Sequence, residues 1–173
     1  VFDVYFMHGN RDFLISEKFA KKYKISLIPD PTIININRKK ILLMHGDTLC
    51  IDDKKYQEFR KLVRSPVWQS QMLEKPLSER LQIATKLRNE SQIEIDLKDE
   101  FIMDVNKEEV ENVFDRYDVD ELIHGHTHRP NIHKIKMKDK YVRRIVLGDW
   151  YKSSYVLFYD SKGILIDRHH LSN

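Results

Sequence analysis

Glu121-Leu122-Ile123-His124-Gly125-His126-Thr127-His128-Arg129-Pro130 (ELIHGHTHRP) reads as a short strand that runs straight into a turn holding histidines at 124, 126 and 128. Apolar residues closed off by glycine and proline mark the end of a buried strand. A strand end is a rigid mount, and a glycine beside a ligand lets the backbone come close to an ion or a phosphate. In an extended or turn geometry residues i and i+2 point the same way, so His126 and His128 are expected to address one cluster.

Two other stretches share that design. His8-Gly9-Asn10-Arg11-Asp12 follows the apolar run Val4 to Met7, and Met44-His45-Gly46-Asp47 closes a second strand. Together the three turns hold five of the 8 histidines. A lone histidine is more often a satisfied core or surface residue than a ligand, but clustering at three strand ends points to one metal centre. Imidazoles from His45, His126 and His128 with the amide oxygen of Asn10, and no thiolate, suit Mn, Fe or Zn better than a structural cysteine-type zinc site.

Between and after these turns the pattern alternates. Residues 15–23 predict a short helix capped by Ser16, with Phe19 on its inner face. Residues 32–37 and 40–45 predict a hairpin across Asn37-Arg38-Lys39. From Asp53 to about Glu94 the spacing turns helical: Tyr56, Phe59, Leu62 and Val63 repeat at helix period, as do Leu77, Leu81, Ala84 and Leu87. Pro66 and Pro76 divide that region. Asn106 is placed to cap a helix through Val110, Val113 and Phe114, with Glu109 completing a capping box. Residues 131–137, 141–147, 154–159 and 164–171 predict four strands, the last two joined by a turn at 161–163. The sum is an α/β fold, a sandwich with a helical insertion at about residues 53–98 within a single domain over 1–173.

Composition narrows the function. With 41% hydrophobic and 33% charged residues over 173, and only 5 Gly and 5 Pro, the chain has the make-up of a globular domain with a core. No apolar run approaches the ~20 residues of a spanning helix. The single cysteine, Cys50, forms no internal disulfide and is expected to be a small buried residue. A net charge of +3 makes no case for nucleic acid as a partner. Locally, residues 54–88 carry nine basic side chains against three acidic, an anion-attracting segment.

The blocks Gly9-Asn10-Arg11-Asp12-Phe13-Leu14, Met44-His45-Gly46-Asp47-Thr48-Leu49-Cys50, Ile102-Met103-Asp104-Val105-Asn106 and the opening stretch resemble the calcineurin-like metallophosphoesterases, and within them the bacterial UDP-2,3-diacylglucosamine pyrophosphatases of lipid A biosynthesis. That resemblance implies a β-sandwich flanked by helices around two Mn2+ ions. It implies Asn10, His45 and His126 on one ion and His128 on the other. Arg11 and His126 would be catalytic. Asn10, Arg11, Asp53, Ser91, Ile95, Lys98 and His126 would line the substrate site, although the family has Asn where this chain has Ile95. The expected partners are UDP-2,3-diacylglucosamine and, peripherally, the cytoplasmic face of the inner membrane. The apolar stripe of the insertion, Tyr56 and Phe59 foremost, is expected to meet acyl chains. The family opens with an Asp-x-His and a Gly-Asp motif that have no counterpart ahead of Val1, so the chain is expected to be the C-terminal part of a longer protein. Asp167-Arg168-His169 and Gly148-Asp149 have similar spacing but come last in the chain, and read as surface and turn residues.

Arg11 stands where most metallophosphoesterases have histidine. Arginine stays protonated, so it does not serve as a general acid, but its planar guanidinium grips phosphate oxygens and stabilises charge growing on them. A phosphate leaving group needs little protonation. Arg11 therefore favours cleavage of a phosphoanhydride over an alkyl phosphate ester. Two other readings stay open on the residues alone: an enzyme of this class acting on a nucleotide or phosphodiester, and an inactive scaffold of the same fold.

Overall fold

The computed structural model describes residues 2–97, 102, 104–151, 153–161 and 163–170; the side chains at 92 and 94–97 fall outside that description. Strand β1 (Val4–Met7) pairs in parallel with β2 (Ile25–Ile28) through helix α1 (Glu17–Lys22). Ser16 caps α1, its hydroxyl accepting from the Phe19 N–H at 3.3 Å. Phe19 itself is exposed, contrary to the sequence reading, and Ala20 is buried instead. A helix of under two turns offers one position to its neighbour, and alanine takes it. Strand β2 was not foreseen, because four residues directly after a helix give no pattern of their own.

Strands β3 (Thr32–Ile36) and β4 (Lys39–Met44) form the expected antiparallel hairpin. Its turn residues Asn37 and Arg38 both have positive φ (51° and 65°), the hand that matches strand twist in a two-residue hairpin loop. A single 3-10 turn, Asp47–Leu49, leads into helices α2 (Lys54–Val63), α3 (Pro66–Glu74) and α4 (Leu77–Leu97). Pro66 stands at the start of α3, where its missing N–H costs nothing, and Ser65 caps it by accepting from Trp68 N–H. Helix α5 (Lys107–Tyr117) is capped by Asn106, whose side-chain oxygen accepts from Glu109 N–H at 3.0 Å. The reciprocal half of the capping box is absent: the Asn106 N–H donates to Leu49 O at 2.8 Å, so Glu109 turns to Arg116.

Strands β5 (Glu121–His124), β6 (Asn131–Lys136) and β7 (Tyr141–Val146) complete a five-stranded sheet of order β3-β4-β5-β7-β6. Its middle strands β4, β5 and β7 run parallel and are covered on both faces, which is why they read as continuous apolar runs. On one face Leu42, Leu122 and Val142 pack against Val110, Val113 and Phe114 of α5. On the other, Ile41, Ile123 and Ile145 meet Leu157, Tyr159, Ile164 and Ile166 of the hairpin β8 (Ser153–Asp160) and β9 (Gly163–His170). At the far end of the middle strands the buried Glu121 accepts from Lys39 at 2.8 Å and from Arg143. Burial alone would raise its pKa, but those two cations hold it below the usual range. The opposite, C-terminal ends of β4 and β5 carry the His45 and His124–His128 turns.

The apolar stripe of the three middle helices is not ordinary core. Val63 and Met72 are buried, whereas Leu62, Val67, Leu73, Leu77, Leu81 and Ile93 are exposed.

Candidate active site

The two turns after β4 and β5 are stitched together by their backbones. Gly125 N–H donates to His45 O at 3.0 Å, and Leu147 N–H donates to His124 O at 2.8 Å. Gly46 sits at φ 106°, and a Cβ there would come 2.7 Å from His124 Nδ1, so the close approach of the turns requires glycine. The imidazole of His124 is buried: its Nδ1 lies 2.9 Å from Gly125 O and its Nε2 3.2 Å from the Arg144 guanidinium. A carbonyl only accepts and a guanidinium only donates, so the proton is on Nδ1. His124 thus holds the turn in shape.

His45 and His126 converge. Their rings stand edge to face at 5.0 Å between centroids, and His45 Nε2 and His126 Nδ1 are buried without a hydrogen-bond partner among the described residues. Burial lowers both pKa values, that of His126 to about 4, aided by the neighbouring His45. Neutral imidazoles with an unused ring nitrogen are in the form that ligates a metal ion. Gly9 faces His45: a Cβ on it would meet His45 Cε1 at 3.2 Å. That contact brings Asn10 and Arg11 to the same mouth, where both are exposed.

The turn that presents Asn10 and Arg11 is closed by its own residues. His8 Nε2 donates to Ile15 O at 2.8 Å, and Asp12 Oδ1 accepts from Gly9 N–H at 2.5 Å. Asp12 is thereby occupied with the backbone, and no ion pair joins it to Arg11 among the described residues. Arg64, the residue that caps the end of α2, reaches over to donate to Gly9 O at 2.9 Å and His8 O at 3.3 Å. Phe13 packs on Trp68 of α3 at 6.0 Å.

His128 is placed differently from the expectation of one shared direction. His126 and His128 both have positive φ (65° and 54°), which turns the backbone between them. His126 points in toward His45; His128 is half exposed, with Nδ1 3.6 Å from Asp149 Oδ2 and its ring 6.3 Å from Tyr151. The Gly148-Asp149 pair read as turn residues is thus beside His128, while Asp167 and His169 bind each other at 2.7 Å on the surface of β9. No group of three or more His, Cys, Asp or Glu side chains is gathered closely enough to hold an ion among the described residues.

What the sequence reading missed is the network beneath His45. Asp47 is fully buried; its Oδ2 accepts from Tyr56 Oη at 2.9 Å and from Arg60 Nε at 2.8 Å. Arg60 also lies 3.7 Å from Asp30, whose Oδ1 accepts from the His45 N–H at 3.1 Å. Burial would raise Asp47, but the Arg60 guanidinium and the Tyr56 hydroxyl hold it below the carboxylate range, whereas burial leaves Asp30 raised. Tyr56, expected to meet acyl chains, has its hydroxyl tied to Asp47 and its ring 5.4 Å from that of His126. Asp53, expected at the substrate, caps α2 by accepting from Tyr56 N–H at 3.1 Å. Ser91 is exposed on α4; the Ile95 side chain and Lys98 lie outside the described residues. Cys50 is buried as expected, its thiol pushed up to about 12. A tyrosine, a glutamine and an arginine at 56, 57 and 60, at the start of the helix that follows Gly46-Asp47, were the available signal for the network: Gln57 donates to Asp47 O and Cys50 O.

His124 gives the site a measurable pH response. Burial keeps its folded pKa at about 4, so below about pH 6.5 the unfolded chain takes up a proton that the folded chain refuses. Stability is therefore expected to be level above that pH and to fall as pH drops from 6.5 toward 4. A urea midpoint unchanged between pH 7 and pH 5 would contradict the buried neutral imidazole.

Residues 2–130 match the family described as Calcineurin-like phosphoesterase, and the chain belongs to that family. It is a family of divalent-metal phosphoesterases. More particularly, the chain is similar to proteins named UDP-2,3-diacylglucosamine hydrolase. That of Pectobacterium carotovorum is 47% identical over 88% of this chain, which spans 64% of the relative's length. That of Xanthomonas oryzae is 45% identical over 95% of this chain and 70% of the relative. That of Photorhabdus laumondii is 46% identical over 92% and 67%. Among solved structures, Vacuolar Protein Sorting 29 from Cryptosporidium parvum covers 86% of this chain and 60% of that chain at 13% identity and a TM-score of 0.35, too low to carry an argument.

Proposed function

We propose that the protein to which this chain belongs hydrolyses the pyrophosphate bond of UDP-2,3-diacylglucosamine, releasing UMP and 2,3-diacylglucosamine 1-phosphate for lipid A biosynthesis. The observation that carries this is the pair of neutral imidazoles, His45 and His126, each with a buried, unused nitrogen, opening beside the Asn10-Arg11 turn. The names of its relatives point to the same substrate.

Nitrogen and oxygen donors without a thiolate would suit a divalent ion of Mn2+ type, which His45, His126 and Asn10 would hold, with His128 a candidate for a second. Such ions lower the pKa of water and offset charge on phosphoryl oxygens. This chain's own residues do the rest. Arg11, free of Asp12, grips the phosphate oxygens and balances the charge that grows on the leaving phosphate. Arg64 and Asp12 hold the backbone of the turn, so Arg11 is carried on a fixed support. His126, wedged between His45 and Tyr56, is kept neutral by burial.

The lipid half of the substrate has a surface of its own. Leu62, Leu73, Leu77 and Leu81 are exposed on helices that also carry the basic excess of residues 54–88. That combination suits acyl chains and an anionic membrane surface, and we assign peripheral attachment to the inner membrane's cytoplasmic face on that basis. Ser91, position 95 and Lys98 complete the proposed substrate site, with Asp53 contributing from the α2 cap.

The test is release of UMP from UDP-2,3-diacylglucosamine with Mn2+ by the full-length protein. Arg11→Ala is expected to lower kcat by about 10²–10³-fold, the loss typical of removing one preorganised donor to a transition-state oxygen. No UMP from a protein shown to bind Mn2+ would reject the substrate.

A further inference from the structure

The last stretch of backbone beside the proposed metal centre has no role in the chemistry above. After β7 the chain leaves the sheet as Leu147-Gly148-Asp149-Trp150-Tyr151, with Leu147 held on His124 O. Gly148 lies against the Tyr155 ring: a Cβ there would come 2.3 Å from Cδ2, so only glycine fits that approach. The indole Nε1 of Trp150 donates to Tyr155 O at 3.0 Å. Tyr151 stands 6.3 Å from His128, edge to face, and Asp149 pairs with the same histidine. Yet Trp150 is 63% and Tyr151 69% exposed. Two large aromatic side chains, consecutive in sequence and one of them anchored by its only polar atom, are left open to solvent next to a histidine of the site.

We infer that Trp150 and Tyr151 form the stacking platform for the nucleobase of the substrate's nucleotide half. This rests on the pyrophosphatase reading and adds a binding site to it. Such rings bind flat, polar-edged molecules through their faces, and base-on-aromatic stacking tolerates any base. An acyl chain is the poorer match, because Asp149 and His128 flank the rings with charge and polarity. The exposed leucines that suit the acyl chains lie elsewhere, on α2, α3 and α4. Those helices touch the centre through Tyr56 against His126, whereas the Trp150 segment touches it through His128. A substrate whose phosphates sit at the centre would then extend its lipid toward one side and its base toward the other.

The chain has 2 tryptophans, Trp68 and Trp150, so Trp68→Phe in the full-length protein leaves Trp150 as this chain's reporter. Titration with UMP is expected to quench its fluorescence, and ribose 5-phosphate, which lacks the base, is expected not to. Tyr151→Ala should weaken UMP by about tenfold while leaving ribose 5-phosphate, measured by calorimetry, and the urea midpoint unchanged. Equal binding of UMP and ribose 5-phosphate, or UMP affinity untouched by Tyr151→Ala, would overturn the inference. UMP release from the lipid substrate, assayed on the same preparations, separates the two ideas: release without base discrimination defeats the platform alone, and no release defeats the pyrophosphatase reading.

Discussion

Asp47→Ala is expected to destabilise the chain by about 3–5 kcal/mol, the range for removing one partner of a buried ion pair. Asp47 is fully buried and its Oδ2 is where Tyr56 Oη and Arg60 Nε both end. Without it a guanidinium and a phenol hydroxyl lose their acceptor at once, and Asp30 is left to balance Arg60 from 3.7 Å. Asp47→Asn keeps an oxygen acceptor without the charge and should lose clearly less. Denaturant midpoints of the two variants decide the matter. An alanine variant within about 1 kcal/mol of the parent, the scale of an exposed pair, would show that the network contributes little.

His126→Ala should abolish turnover by more than about a hundredfold, since altering even an outer partner of a metal ligand costs up to that much. The same variant should weaken Mn2+ binding measured by calorimetry, a readout independent of substrate. His124→Gln is the informative companion. It sits two residues away and is fully buried, and both its ring nitrogens are committed to Gly125 O and Arg144. It should lose stability before it loses affinity for the ion. If both variants bound Mn2+ like the parent, His126 would not be a ligand.

Much of the fold was legible because its middle strands are covered on both faces and its turns carry glycine, proline and asparagine at fixed offsets. The hairpin at Asn37-Arg38, the Ser16 and Asn106 caps and the breaks at Pro66 and Pro76 all follow from local chemistry that tertiary packing did not overrule. Where packing decided, the pattern misled. Phe19 and Ala20 both fit an inner face, and the space beside β2 suits the smaller. Asn106 N–H had a better acceptor in Leu49 O than in the Glu109 side chain. In the site, the histidines were visible because three turns repeat one composition. The parallel aim of His126 and His128 was not, because periodicity assumes ordinary φ values and both residues have left-handed ones. The tie of Tyr56 was hidden for a related reason: helix period put it on an apolar stripe, and its hydroxyl finds a buried carboxylate nine residues upstream.

The grip of Arg64 on the carbonyls of His8 and Gly9 bears on how this protein could change over evolutionary time. Helices inserted into a fold are commonly viewed as interchangeable attachments that set substrate preference while the catalytic frame stays fixed. In this chain the attachment braces the frame: one guanidinium at the end of α2 holds the turn that presents Asn10 and Arg11, and a phenol from the same helix lies against His126. Exchanging the insertion for a foreign one would take away both supports. New specificity acquired by that route would have to arrive with a replacement brace, so the lipid-facing helices and the phosphate-facing turn are constrained to be inherited together.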